Sequence, residues 1–156
     1  MRVHICAVGR LRAGPERDLI DDYLARFGRT GRSLGLGPAK VIEADDRKSN
    51  SPESQANLLE RAIPQGAVRV MLDERGAQMA STEFADILGG WRDAGRGDVA
   101  FVIGGADGIA PALRNTGDLG LSFGAMVWPH MLARVMLAEQ LYRSATILSG
   151  SPYHRA

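Results

Sequence analysis

Residues 98–108, DVAFVIGGADG, run from an unbroken apolar stretch straight into a cluster of glycines. Val99 to Ile103 carry no polar residue between them. A short continuous run of this kind fits a strand covered on both faces, as in the middle of a parallel sheet. In open parallel sheets, ligands sit beyond the carboxyl ends of the strands. Gly104, Gly105 and Gly108 fall at that end, where missing side chains let the backbone approach a ligand. Their spacing, G-G-x-x-G, is not the dinucleotide fingerprint, and no Lys-Ser/Thr pair follows to make a P-loop. A tight strand-to-helix turn with no ligand is the other reading of the stretch.

Working outward, short β-branched runs alternate with longer helical periods. Residues 2–8 (RVHICAV), 40–44 (KVIEA), 67–73 (AVRVMLD) and 119–123 (LGLSF) read as further strands. Residues 15–27 read as a helix with Pro15 in its first turn and Leu19, Ile20, Tyr23, Leu24 and Phe27 on one face. Residues 28–38 are glycine-rich and read as a connection; residues 45–53 are polar and read as a mobile one. Ser51–Pro52 opens a second helix, with Leu58, Leu59, Ala62 and Ile63 sharing a face. Ser81 reads as the cap of a third, in which Phe84, Ile87, Leu88 and Trp91 recur at helical spacing. Residues 110–115 form a short helix, and a last one runs from about His130 to Ile147. The alternation predicts one α/β domain, residues 1–156, with a mainly parallel sheet flanked by helices.

Bulk properties narrow the function. The chain has 156 residues, 45% of them hydrophobic and 24% charged, enough to bury a core. A net charge of +1 excludes a polybasic nucleic-acid coat, though a few local arginines suffice when a partner supplies shape. Arginine dominates the cations, since the lysines are Lys40 and Lys48 alone. Cys6 is the single cysteine and lies in an apolar run, so it reads as core; no disulfide and no cysteine-built metal site is expected. No stretch reads as a membrane span, and the opening MRVHICAVGRLRAG has the wrong order for a signal peptide. We expect a cytoplasmic protein with no metal.

Three further stretches bear chemistry. Residues 121–130, LSFGAMVWPH, break at Gly124 and again at Pro129. An apolar loop that bends twice either crosses the core or wraps an apolar ring. In the last helix, Glu139, Gln140, Arg143, Ser144 and Thr146 cluster on one side. Arg134 lies nearly opposite, among Ala138, Leu141 and Ala145. A charged guanidinium on an apolar face needs a partner, found either within its own chain or at a second subunit or substrate. His4 reads as a structural histidine on the first strand. His130 either caps the last helix or lines the site before it. Finally, SPYHRA (151–156) places Tyr153, His154 and Arg155 at the end of the chain, where order is hardest to keep. They are a stacking surface, a titratable ring and a phosphate fork, which suits a splayed RNA base; a frayed end with chance residues is the alternative.

Together, ICAVG, VMLDERG, IGGADG and the block WPHMLARVMLAEQLYRSATILSGSPYHR resemble the SPOUT methyltransferases over nearly the whole chain. The likeness is to the small single-domain branch that methylates N3 of a pseudouridine in 23S rRNA. It implies a deep C-terminal trefoil knot whose loops cradle S-adenosylmethionine. Leu72, Gly105 and the run Gly124, Ala125, Met126, Val127, Trp128 and Pro129 would line that cofactor, with Gly104 supporting the turn. It also implies a homodimer with the site between subunits and a tail ordered by cofactor, substrate or partner. The pattern departs at Ala106–Asp107, where a Pro-Glu pair is common, at the bulky Trp128, and at Ala156, where an acidic residue is usual.

On this resemblance His154, Tyr153 and Arg155 are the catalytic candidates: His154 accepts or relays the N3 proton and Tyr153 positions the base. Arg143, Arg134 and His130 are the candidate substrate contacts. The near-neutral charge makes naked RNA a poor partner, so the expected substrate is 23S rRNA in the assembled 70S ribosome. Two other readings remain open: a non-catalytic ribosome-associated assembly factor with the knot fold, and a nucleotide-binding α/β protein without RNA.

Overall fold

The structure, a computed structural model, describes residues 1–45, 47 and 51–155. Asp46, Lys48, Ser49 and Asn50, which belong to the expected 45–53 connection, and Ala156 lie outside the described residues. Five strands, β1 (Arg2–Val8), β2 (Ala39–Ala44), β3 (Val68–Ala77), β4 (Asp98–Ile103) and β5 (Leu119–Leu121), form one sheet in the order β2-β1-β4-β3-β5. Every pairing is parallel. The apolar run of β4 is central, with Phe101 opposite Ile5 of β1 and Val70 of β3.

Side-chain alternation in the strands splits the core into two layers. Ile5, Val70 and Phe101 face one layer with Phe27, Phe84, Leu88, Leu137 and Leu141. Those partners come from α1 (Pro15–Gly31), α3 (Ser81–Asp93) and α5 (His130–Leu148). Cys6, Met71 and Val102 face the other layer with Leu59, Ile63 and Leu113, carried by or beside α2 (Pro52–Ala62) and α4 (Pro111–Arg114). Cys6 is buried there, and burial pushes its thiol up to about 11, as befits a core residue.

Several boundaries differ from expectation for identifiable reasons. α1 runs past residue 27 to Gly31 and into a single 3-10 turn, Arg32–Leu34, so much of the expected 28–38 connection is helical. Gly31 allows this because a Cβ there would lie 2.6 Å from the Leu36 carbonyl oxygen, where the chain turns back. β3 continues through Asp73 to Ala77, with an irregularity in its pairing to β5 between Leu72 and Ala77. β5 stops at Leu121 rather than residue 123. Ser81 is not the cap of α3: it lies inside the helix and its hydroxyl donates to Gln140 Oε1 at 2.8 Å. The Ala80 N–H is held instead by Glu83 Oε2 at 2.7 Å.

Arg134 is 1% exposed, and its partners come from its own chain, the first of the two readings of this guanidinium. Its guanidinium donates to the Val8 carbonyl at 2.5 Å, to the Gly9 carbonyl at 2.9 Å and to Glu43 Oε1 at 3.3 Å. Glu43 Oε1 also accepts the Leu11 N–H at 2.9 Å. One side chain thus ties the ends of β1 and β2 to the first turns of α5. Ser144 and Thr146, grouped by the helical wheel with the polar side, are buried too; their hydroxyls return to the Gln140 and Arg143 carbonyls at 2.7 Å each. Arg134→Met keeps the bulk but strands Glu43 and two carbonyls, so it is expected to cost about 2–4 kcal/mol in urea unfolding. A change below the scatter of the measurement would contradict this role.

At the opposite end of the sheet, Asp98 takes a bidentate contact from Arg2 (2.8 and 2.7 Å) and a bond to His4 Nε2 (2.7 Å). This supports the structural reading of His4. The Arg2 contact, helped by His4, holds the Asp98 carboxyl below the usual carboxylate range. Because the native value is depressed, the unfolded chain takes up this proton first as pH falls below about 4. The stabilisation is therefore complete above that pH and is lost as pH falls through the native value of Asp98. Thermal melts across this acid range are expected to show a shallower decline for Asp98→Asn, and parallel declines would contradict the assignment.

Candidate active site

The carboxyl ends of β3 and β4 and the end of β5 open into a cavity of about 510 Å³, within the ordinary range for small-molecule sites. Its floor is the turn after β4. The Gly108 N–H closes that turn on the Gly105 carbonyl at 3.0 Å, with Gly108 at φ 79°. A Cβ on Gly104 would lie 2.4 Å from the Gly108 backbone, so the turn has room only for a glycine. The 122–129 loop forms the facing wall. It is pinned by Ser122, whose Oγ accepts the Gly124 N–H at 3.2 Å, and Gly124 itself sits at φ 113°.

Most of the expected cofactor residues meet here: Leu72, Gly104, Gly105, Gly124, Met126, Val127 and Trp128 all line the cavity. Ala125 and Pro129 belong to the same loop but are not among its walls. Pro129 precedes the first residue of α5, His130, which lines the cavity, so the second of its two readings gains support. Charged groups are there as well, Asp107 noted in the sequence as a departure and Asp73, Arg75, Arg114 and Glu53 given no role by it. Asp73 lies between Arg75 (3.6 Å) and Arg114 (3.7 Å), and Glu53 and Asp107 are further along the wall. The signal for Asp73 was present: an acid directly after a buried strand falls at the ligand-binding edge of a parallel sheet.

The tail lies elsewhere. Tyr153 donates its hydroxyl to Glu139 Oε1 at 3.0 Å. Its ring sits 4.6 Å from that of Tyr142 and beneath the Arg143 guanidinium at 4.9 Å. Both burial and the Glu139 carboxylate raise the Tyr153 phenol well above its ordinary range. His154 Nδ1 is 3.3 Å from Arg143 Nη1, while Arg155 is exposed. Tyr153 and His154 thus rest against side chains of their own chain, and one face of the Tyr153 ring meets the Arg143 guanidinium. Arg143 is held by Glu139 rather than projecting freely. None of these residues lines the cavity. Arg143 follows His130 by thirteen positions on one helix, about 20 Å at the α-helical rise.

A family profile described as "Predicted SPOUT methyltransferase" matches residues 1–154. The chain belongs to the SPOUT methyltransferase family. Among curated SPOUT relatives, a protein of Dinoroseobacter shibae is 68% identical over 99% of both chains, and one of Ruegeria sp. (strain TM1040) is 67% identical over the same share. Each is named "Ribosomal RNA large subunit methyltransferase H". Among solved structures, a probable methylase family protein from Haemophilus influenzae superposes with a TM-score of 0.52 at 12% identity, over 99% of this chain and 70% of that one. At that identity the likeness supports the fold alone.

A SPOUT methyltransferase must hold a methyl donor, and the cavity suits S-adenosylmethionine. Leu72, Met126 and Val127 give apolar walls for an adenine ring. Asp73, Asp107 and Glu53 are acceptors for hydroxyls and an ammonium, and Arg75 and Arg114 suit a carboxylate. Among the described residues no group of three or more His, Cys, Asp and Glu is arranged to hold a metal, and no helix is long and apolar enough to cross a membrane.

Proposed function

We propose that this SPOUT methyltransferase transfers a methyl group from S-adenosylmethionine to N3 of a pseudouridine in 23S rRNA, acting in the cytoplasm on the assembled 70S ribosome. The observation that carries the reading is the cavity beyond β3, β4 and β5, built from the loop residues the resemblance assigns to the cofactor. The rRNA assignment draws on full-length relatives with that printed name. A net charge of +1 favours a folded ribosomal surface over naked RNA.

Leu72, Gly105 and the 124–128 loop would hold the cofactor, with Gly104 and Gly108 shaping the floor. The bound donor supplies an electrophilic methyl on a sulfonium. The protein has to fix the nucleophile in line with that methyl, exclude water, and favour the N3 anion of the base. Tyr153, His154 and Arg155 are the groups we assign to the base, with Tyr153 anchoring the tail and Arg155 reaching phosphate. His130 is a further contact at the mouth of the cavity.

The separation of tail and cavity along α5 supports a homodimer in which one chain's tail serves its partner's cavity. Met126 is 74% and Val127 86% exposed, and Trp128, Met131 and Leu132 add apolar surface beside them. These are two short runs of large exposed side chains, 126–128 and 131–132, that a second copy would cover. The knotted threading implied by the family belongs to the same reading.

Mixing two inactive chains tests the arrangement. One ends at Gly150; the other carries Gly105→Trp, which fills the cavity. Random exchange would give one complete site in each mixed dimer and about a quarter of wild-type methyl transfer. No recovery from exchanged subunits would place both parts of the site in one chain. A non-catalytic assembly factor would bind ribosomes and incorporate no label at all.

A further inference from the structure

Arg143 fixes more than the position of His154. A guanidinium has only N–H donors, so in the Arg143–His154 contact the imidazole Nδ1 has to accept. The hydrogen bond at one ring nitrogen decides which tautomer the other adopts. A neutral imidazole that accepts at Nδ1 carries its proton on Nε2. Arg143 cannot turn away readily, because Glu139 Oε1 holds its Nε at 3.0 Å and its Nη2 at 2.5 Å, leaving Nη1 for the ring. Tyr153 closes the clamp by donating to the same carboxylate oxygen and stacking under the guanidinium. Gln140 Nε2 occupies the second oxygen, Glu139 Oε2, at 2.8 Å.

We infer that His154 presents Nε2–H as a hydrogen-bond donor to a carbonyl oxygen of the target base, with Arg143 and Glu139 as the positioning residues that set this tautomer. The inference rests on the proposal that the tail meets the base, and it replaces the role of proton acceptor expected for His154. In this tautomer neither ring nitrogen can take the N3 proton while the Arg143 bond persists. N3 gives up its proton to bulk water before the base is enclosed, and its lone pair then forms the bond to the methyl carbon while the electrons of the methyl–sulfur bond stay on sulfur. Negative charge spreads from N3 onto the flanking carbonyl oxygens as the proton leaves. A donor already aimed there stabilises the anion without reorganising, as in an oxyanion hole. Arg143 and Glu139 touch no reacting atom in this scheme.

Rescue by a side chain that can donate but not act as a base separates the two roles. In the full-length protein assayed on 70S ribosomes, His154→Ala is expected to lower methyl transfer about 100-fold, the usual effect of removing one such donor. His154→Gln, whose amide offers N–H near the position of Nε2, is expected to recover at least about tenfold of that loss. If His154→Gln is as slow as His154→Ala, the donor role fails and a proton acceptor is required. If His154→Ala matches wild type, the tail does not serve the base, and the underlying proposal fails with it. The tautomer can also be read without turnover. Nitrogen-15 shifts of the His154 ring should show an unprotonated Nδ1 and a protonated Nε2 in wild type, and a mixture in Arg143→Met. A protonated Nδ1 in wild type overturns the inference.

Discussion

A chain ending at Gly150 is expected to bind S-adenosylmethionine with near-native affinity and to lose methyl transfer by a factor of about 1,000 or more. The two outcomes differ because cavity and tail are separate parts of the chain. Binding is unaffected because the cavity is lined by residues 52 to 133, with no contribution from the tail. Transfer should collapse because the truncation removes the three groups that the proposed function assigns to the base: Tyr153 as anchor, His154 as donor and Arg155 as phosphate contact. Loss of one preorganised donor typically costs 100- to 1,000-fold, and loss of positioning adds to it. Folding should survive, since the last turn of α5 is closed by its own backbone, with Ser149 N–H on the Ala145 carbonyl and Gly150 N–H on that of Ile147. Calorimetric titration of the cofactor beside single-turnover methyl transfer checks both halves. A truncated chain that turns over normally would leave the tail without a role.

Gly104→Ala is the second large effect, and it should act on the cofactor rather than the base. The added Cβ would stand 2.4 Å from the carbonyl carbon and oxygen of Gly108 and 2.8 Å from the Ile109 nitrogen. All three are backbone atoms, so no side chain can swing aside. Overpacking of this kind costs about 3 kcal/mol or more when the neighbour cannot move. Relief would come from opening the turn, which removes the floor of the cavity. We expect cofactor binding to fall below detection and the melting temperature to drop. Gly97→Ala, in open space and free of a positive φ, is the matched control and should change neither. Gly108→Ala separates crowding from backbone strain. Nothing lies within 4 Å of the new Cβ, but φ is +79°, so it should cost about 1–2 kcal/mol and leave the cavity usable.

These two predictions draw on parts of the molecule that were unequally legible in the sequence. The central strand, its glycine turn and the 124–128 wall could be read because each is a local pattern. Val99 to Ile103 declare a strand buried on both faces, and glycines after such a strand declare a close approach. Ends of elements were harder. Gly28 and Gly31 look like breakers, yet α1 passes through Gly28 and ends only at Gly31, because the reversal at Leu36 needs the space that Gly31 leaves. The polar residues Asp73 to Arg75 look like a turn, yet β3 carries them onward beside β5. Its Gly76 approaches Gly120 so closely that a Cβ would lie 2.6 Å from the Gly120 backbone.

Long-range pairings were not legible at all. Arg134 announced that it needed a partner, but nothing local could choose Glu43, 91 residues away, over a second subunit. Glu139 and Arg143 stand four residues apart on a helix and announce a pair. That this pair also captures Tyr153 and His154 depends on how the chain reverses after Gly150, at φ 70°. The helical wheel misplaced Ser144 and Thr146 for another reason. It scores hydroxyls as polar, whereas a hydroxyl that bonds the preceding turn of its own helix can be buried at little cost.

Methyl transfer by this SPOUT methyltransferase to large-subunit RNA can be measured directly. The measurement is transfer of labelled methyl from S-adenosylmethionine to 70S ribosomes, separated subunits and naked rRNA, with the labelled nucleoside located by digestion and mass spectrometry. The predicted result is label on N3 of a pseudouridine in 23S rRNA, strong on 70S particles and weak on naked RNA. A full-length chain that binds the cofactor and labels none of these substrates would contradict it.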